Sequence, residues 1–188
     1  FYNIHMKDNI DYKVLLVGRN PFTRAVSAYE YTKAAGHTYI LKFKDFSDFM
    51  SQVNTDEKIS YTDDTNNHFS PGIPMGIGAF TKQVYWIKGH ETMGEVHKIK
   101  LENISQELSD IMGFYVDFPR KNTHKRVSSR HSSTHQRYMT GYSYEIKPWK
   151  HYYTKDMVKK IQELYKEDFE FWGYDPNINP YTEEPWNL

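Results

Sequence analysis

Residues 12–31, YKVLLVGRNPFTRAVSAYEY, constrain the fold more than any other part of this chain. Tyr12 to Val17 is a short apolar run rich in Val and Leu, the length of a buried strand. Two residues later Asn20 offers a helix N-cap, and Pro21 suits the first helical position, where its missing N–H costs nothing. The stretch therefore predicts strand, tight turn and helix, with Arg19 at the strand's carboxyl end. Free N–H groups at a helix start, beside a guanidinium, favour a phosphate or other anion. Pairing of Arg19 with a surface carboxylate is the equal alternative at this point.

The pattern beyond it continues to alternate. A helix is expected from Phe22 to Ala35, stopped by Gly36, and a second through Phe46, Phe49, Met50 and Val53. Residues 54–78 are polar and then rich in Gly and Pro, and read as a long exposed loop. QVYWIKG (83–89) and EVHKIKL (95–101) read as two strands around a turn. A helix through Ile104, Leu108 and Met112 follows, capped by Asn103 or Ser105 and closed by Gly113. The last helix, from Thr154 to Trp172, carries one broad apolar face. This order predicts an α/β fold with a mainly parallel sheet and helices on its faces.

With 188 residues, the chain has the size of one domain that can bury a core without disulfides or metal. Lys plus Arg and Asp plus Glu are equal at 24, which argues against a general nucleic-acid or membrane field and makes any anion site local. Cysteine is absent, excluding thiol catalysis, and no run reaches the length of a membrane span. Residues 119–137 form the one strongly basic stretch, with six Lys or Arg and no acid.

GRNPFTRAVSAYEY resembles the 3′-phosphate-binding motif of the PAPS-dependent sulfotransferases, in which an Arg is followed eight positions later by a Ser, as Arg19 is by Ser27. The resemblance is closest to sulfotransferase family 2, the carbohydrate sulfotransferases and their microbial or viral relatives. NNHF (66–69), KIKLENISQELSDIMGF (98–114) and YTKDMVKKIQELYKEDFEFWGYD (153–175) resemble later elements in the same order. The family's upstream 5′-phosphosulfate loop has no counterpart here, so the sequence is expected to be a fragment that starts after it. The resemblance implies a single domain over residues 1–188, a P-loop-kinase-like three-layer sandwich truncated at its N-terminus.

It also implies transfer of a sulfuryl group from PAPS (3′-phosphoadenosine 5′-phosphosulfate) to a hydroxyl of a glycan or similar acceptor, leaving PAP. Arg19 and Ser27 would hold the ribose 3′-phosphate, completed by Lys125 and Arg126 of the basic stretch. His5, ahead of the strand, and His68, on the long loop, are the candidates for the general base. No metal is expected, since HETMGEVH (90–97) lacks the HExxH spacing and His131 and His135 lack a third ligand. Glu102 reads as structural, and Asn103-Ile104-Ser105 as a capping sequence that happens to match a glycosylation sequon. The second functional reading is a non-catalytic module of the same fold that binds an acidic glycan or a protein through its basic loop. Localisation leans to the cytoplasm of a microbial or viral source, with the Golgi lumen as the alternative.

Overall fold

The computed structural model describes residues 13–34, 43–51, 53, 80–87, 95–118 and 147–188. Strand β1 (Lys13–Gly18) leads after two residues into helix α1 (Pro21–Ala34). Asn20 caps as its sequence position predicts: its Oδ1 accepts the Phe22 N–H at 3.0 Å, and its carbonyl accepts the Arg24 N–H at 2.9 Å. Phe22, Ala25, Val26 and Tyr29 recur at helical spacing, and all four are buried. Helix α2 (Phe46–Ser51) occupies the middle of the predicted second helix and buries Phe46, Phe49 and Met50.

Two departures from the expected order follow. Residues 83–87 form helix α3 (Gln83–Ile87) instead of a strand. The cause lies 85 positions away: the Asp168 carboxylate accepts the Gln83 N–H at 2.8 Å and the Val84 N–H at 3.0 Å, fixing a helical first turn. Strand β2 (Glu95–Lys100) consequently makes no hairpin with 83–87 and pairs in parallel with β1. Their register sets Val14 opposite Val96 and Gly18 opposite Lys100, so both strands deliver their carboxyl ends to one place.

A 3₁₀ turn (Leu101–Asn103) connects β2 to helix α4 (Ile104–Met112), closed by Gly113 at φ 72°. The expected cap is absent. Asn103 stands at the N-cap position without a side-chain cap bond, and the Ser105 hydroxyl instead accepts the Phe118 N–H at 3.0 Å. The closing helix is two helices, α5 (Lys155–Leu164) and α6 (Lys166–Trp172). Tyr165 breaks them at φ −113°, ψ 24°, and its hydroxyl donates to the Phe80 carbonyl at 2.6 Å. Thr154 caps α5 through the Met157 N–H. A short antiparallel hairpin, β3 (Ile178–Asn179) with β4 (Glu184–Pro185), ends the described chain.

The described architecture is a mixed helix and strand fold with a small parallel sheet, compatible with the α/β class expected from the sequence. Its core is largely aromatic, with Phe22, Phe46, Phe49, Phe80 and Phe169 buried beside four tyrosines. Phe22 meets Tyr153 edge to face at 5.5 Å between centroids, and Phe46 meets Tyr152 at 5.5 Å. Trp186, from the terminal hairpin, packs on Phe22 at 4.8 Å. Among the described residues no helix is long and apolar enough to cross a membrane.

Gly18 is where the sheet meets α6. A Cβ there would collide with Cδ2 and Cε2 of the Trp172 indole, a ring too rigid and too buried to move aside. Gly18→Ala is therefore expected to cost about 3 kcal/mol, the upper range for over-packing a tight core. Urea unfolding of the variant checks it, and Gly18→Ala combined with Trp172→Leu should recover part of the loss.

Candidate functional site

Arg19 leaves the carboxyl end of β1 with its backbone held at both ends. Its N–H donates to Gln83 Oε1 at 2.8 Å, and its carbonyl accepts from Gln83 Nε2 at 2.8 Å. The guanidinium is oriented by one bond, from Nε to Thr23 Oγ1 at 3.1 Å. Thr23 Oγ1 lies in turn 3.1 Å from the Asn20 carbonyl and 3.3 Å from Glu102 Oε1. Among the described residues no carboxylate forms an ion pair with Arg19, which is only partly buried. Its Nη groups thus retain donors for an oxyanion.

Ser27 follows Thr23 by four residues, so the two hydroxyls share one face of α1. Its side chain is half-buried and takes no hydrogen bond among the described residues. The next turn back is spent differently. Arg24 donates from Nη2 to the Thr81 carbonyl at 2.6 Å and lies 3.8 Å from Asp168, whose side chain is fully buried. Burial pushes the Asp168 carboxyl above its ordinary value, and the Gln83 and Val84 N–H groups and Arg24 oppose that push.

Glu102 acts as the brace that its sequence position suggests. Oε1 accepts the Asn20 N–H at 3.0 Å and Oε2 accepts the Tyr174 hydroxyl at 2.6 Å. Burial first, and then Glu102, push the Tyr174 phenol well up, while Arg19 opposes them. Arg19 likewise opposes the upward push of burial on the phenols of Tyr153 and Tyr181.

Of the six sequence-predicted site residues, Arg19 and Ser27 are described; His5, His68, Lys125 and Arg126 lie outside the described residues. Among the described residues no group of three or more His, Asp or Glu is placed to hold a metal. An open cleft of about 540 Å³ borders β2 and α4, lined by residues such as His97, Glu107, Asp110 and Trp172. Neither Arg19 nor Ser27 lines it, and the lysines on its wall cap α6: Lys98 Nζ and Lys100 Nζ donate to the carbonyls of Phe171 and Gly173 at 3.3 and 2.9 Å.

Sequence reasoning missed Thr23 and Gln83. Thr23 had a signal, its i+4 distance from Arg19. Gln83 had none, because its partner is 64 residues away.

The site is a guanidinium with no ion-pair partner among the described residues, at the end of a parallel strand and next to a helix start, with Ser27 eight residues on and likewise without a hydrogen bond among the described residues, which suits a phosphate or sulfate group. No curated protein and no solved structure matches the chain. The family model described as "Sulfotransferase family" matches residues 2–175, and over that span the chain belongs to sulfotransferase family 2.

Proposed function

We propose that the protein transfers the sulfuryl group of PAPS to a hydroxyl of a glycan or similar acceptor, with Arg19 and Ser27 on the donor's ribose 3′-phosphate. Family membership supports sulfuryl transfer in general. The observation that carries the donor assignment is the Arg19 guanidinium, oriented by Thr23 and left without a carboxylate among the described residues. A 3′-phosphate is a compact dianion that two Nη donors and a serine hydroxyl match in charge and geometry. Lys125 and Arg126 would complete this end of the donor, a role that rests on the family resemblance.

In the reaction, the acceptor oxygen forms a bond to sulfur while the bond from sulfur to the PAP phosphate oxygen breaks. The acceptor proton passes to a general base, for which His5 and His68 are the candidates.

Arg19→Ala is expected to weaken PAP binding about 10- to 100-fold, the worth of charge-assisted hydrogen bonds, and to leave adenosine 5′-phosphate within about twofold. Ser27→Ala should act in the same direction with a smaller loss. Calorimetric titration of both nucleotides into the folded variants measures this. Equal losses for the two would overturn the assignment of Arg19. Salt-sensitive binding of an acidic glycan with no nucleotide binding would favour the non-catalytic module.

A further inference from the structure

We infer that Gln83 is a positioning residue for the 3′-phosphate arginine: its side-chain amide clamps the Arg19 backbone from both sides and thereby sets where the guanidinium emerges. The inference rests on the donor-binding role of Arg19 proposed above.

The geometry is unusual for a residue so distant in sequence. One amide accepts from the Arg19 N–H and donates to the Arg19 carbonyl, both at 2.8 Å. That reciprocal pair is what a neighbouring strand would offer, but it comes from the first residue of α3. The clamp is itself fixed. The Gln83 N–H donates to Asp168 Oδ2 at 2.8 Å, and Asp168 is held in α6 beside Arg24 of α1. Three helices thus lock one peptide at the strand end.

The consequence reaches the ligand through the side chain. With its backbone fixed, Arg19 has one further tie among the described residues, the bond from Nε to Thr23, which orients its Nη groups before any anion arrives. Loss of the clamp frees the Arg19 peptide to rotate and separates the guanidinium from the Ser27 face. Small displacements of a charged donor reduce affinity sharply, because an oriented bidentate contact becomes an averaged one.

A merely structural Gln83 would change stability and leave ligand discrimination alone. The readout is therefore the ratio of affinities for PAP and adenosine 5′-phosphate, which isolates the 3′-phosphate. Gln83→Met keeps length and volume and removes both bonds. It is expected to lower PAP affinity about tenfold with adenosine 5′-phosphate within about twofold. Added to Arg19→Ala, it should cost no further PAP affinity, since the group it orients is gone. Val158→Ala, in the core of α5 away from this network, supplies the control for lost stability with an unchanged ratio.

Gln83→Met with a lower Tm but the original ratio would reduce Gln83 to a structural role and overturn the inference. An Arg19→Ala variant that itself keeps the ratio would overturn the donor assignment first, and this inference with it. If Gln83→Met does not fold, Gln83→Glu replaces the Nε2 donor by a carboxylate oxygen facing the Arg19 carbonyl. The same fall in ratio is expected from it, and an unchanged ratio overturns the inference equally.

Discussion

Above pH 10 the folded protein is expected to lose about 5 kcal/mol of stability for each further pH unit, from four phenols alone. Tyr29, Tyr152, Tyr153 and Tyr165 are all buried. Burial is the leading cause that pushes each of them up, Tyr29 to about 12 and the others further. Three of the hydroxyls donate to acceptors that a phenolate would repel: Tyr152 to Glu30 at 2.8 Å, Tyr153 to the Phe22 carbonyl and Tyr165 to the Phe80 carbonyl, both at 2.6 Å. In the unfolded chain these phenols titrate near pH 10. Between that value and the raised folded values, the unfolded state has released protons that the folded state keeps. Stability therefore is fully present below pH 10 and falls as pH rises through the window. Urea midpoints at pH 8, 10 and 11, followed together with tyrosinate absorbance, measure the slope. A flat profile to pH 11 would mean that these phenols are not sequestered.

Asp168→Ala is expected to cost about 3–5 kcal/mol, the range for removing one member of a buried charge pair. Two effects combine. The carboxylate is the buried countercharge 3.8 Å from Arg24, and it also satisfies the first two N–H groups of α3. Alanine supplies neither, and it leaves a space in the seam between α3 and α6. Asp168→Asn keeps an acceptor for one N–H and should recover part of the loss. Denaturant titration of the three proteins at pH 7 gives the ranking. Equal stability of Ala and Asn would place the whole effect in the lost charge, with no share for the helix start.

The parts of this fold that were legible in the sequence are those whose cause is local. Asn20-Pro21, Thr154 and the left-handed Gly113 and Gly173 each act within one turn, the first two starting a helix and the glycines ending one where the sequence indicates. Helix α3 was not legible, because QVYWI is rich in β-branched and aromatic residues and reads as a strand until a carboxylate 85 residues away caps it. The break at Tyr165 was hidden for a similar reason. The apolar stripe runs unbroken across it, and only the bond from the Tyr165 hydroxyl to Phe80 marks the position.

The candidate site divides in the same way. Arg19 stood out by its place at the strand end, and Ser27 through the resemblance to the family's Arg-and-Ser motif, both within one strand and one helix. Gln83, which holds the Arg19 peptide, and Asp168, which holds Gln83, belong to other elements and carry no spacing signal toward it.

The terminal hairpin bears on what this family's sequence signature delimits. The signature stops at residue 175, yet the Trp186 ring meets Phe22 edge-on at the first turn of α1 and Tyr153 at 5.3 Å, and its backbone N–H donates to the Asn177 carbonyl at 3.3 Å. Through Trp186 the segment after the matched span thus adds a side chain to the aromatic core. The family match and the folded unit have different borders in this protein: Trp186, beyond the matched span, packs on the first turn of the helix that carries Ser27.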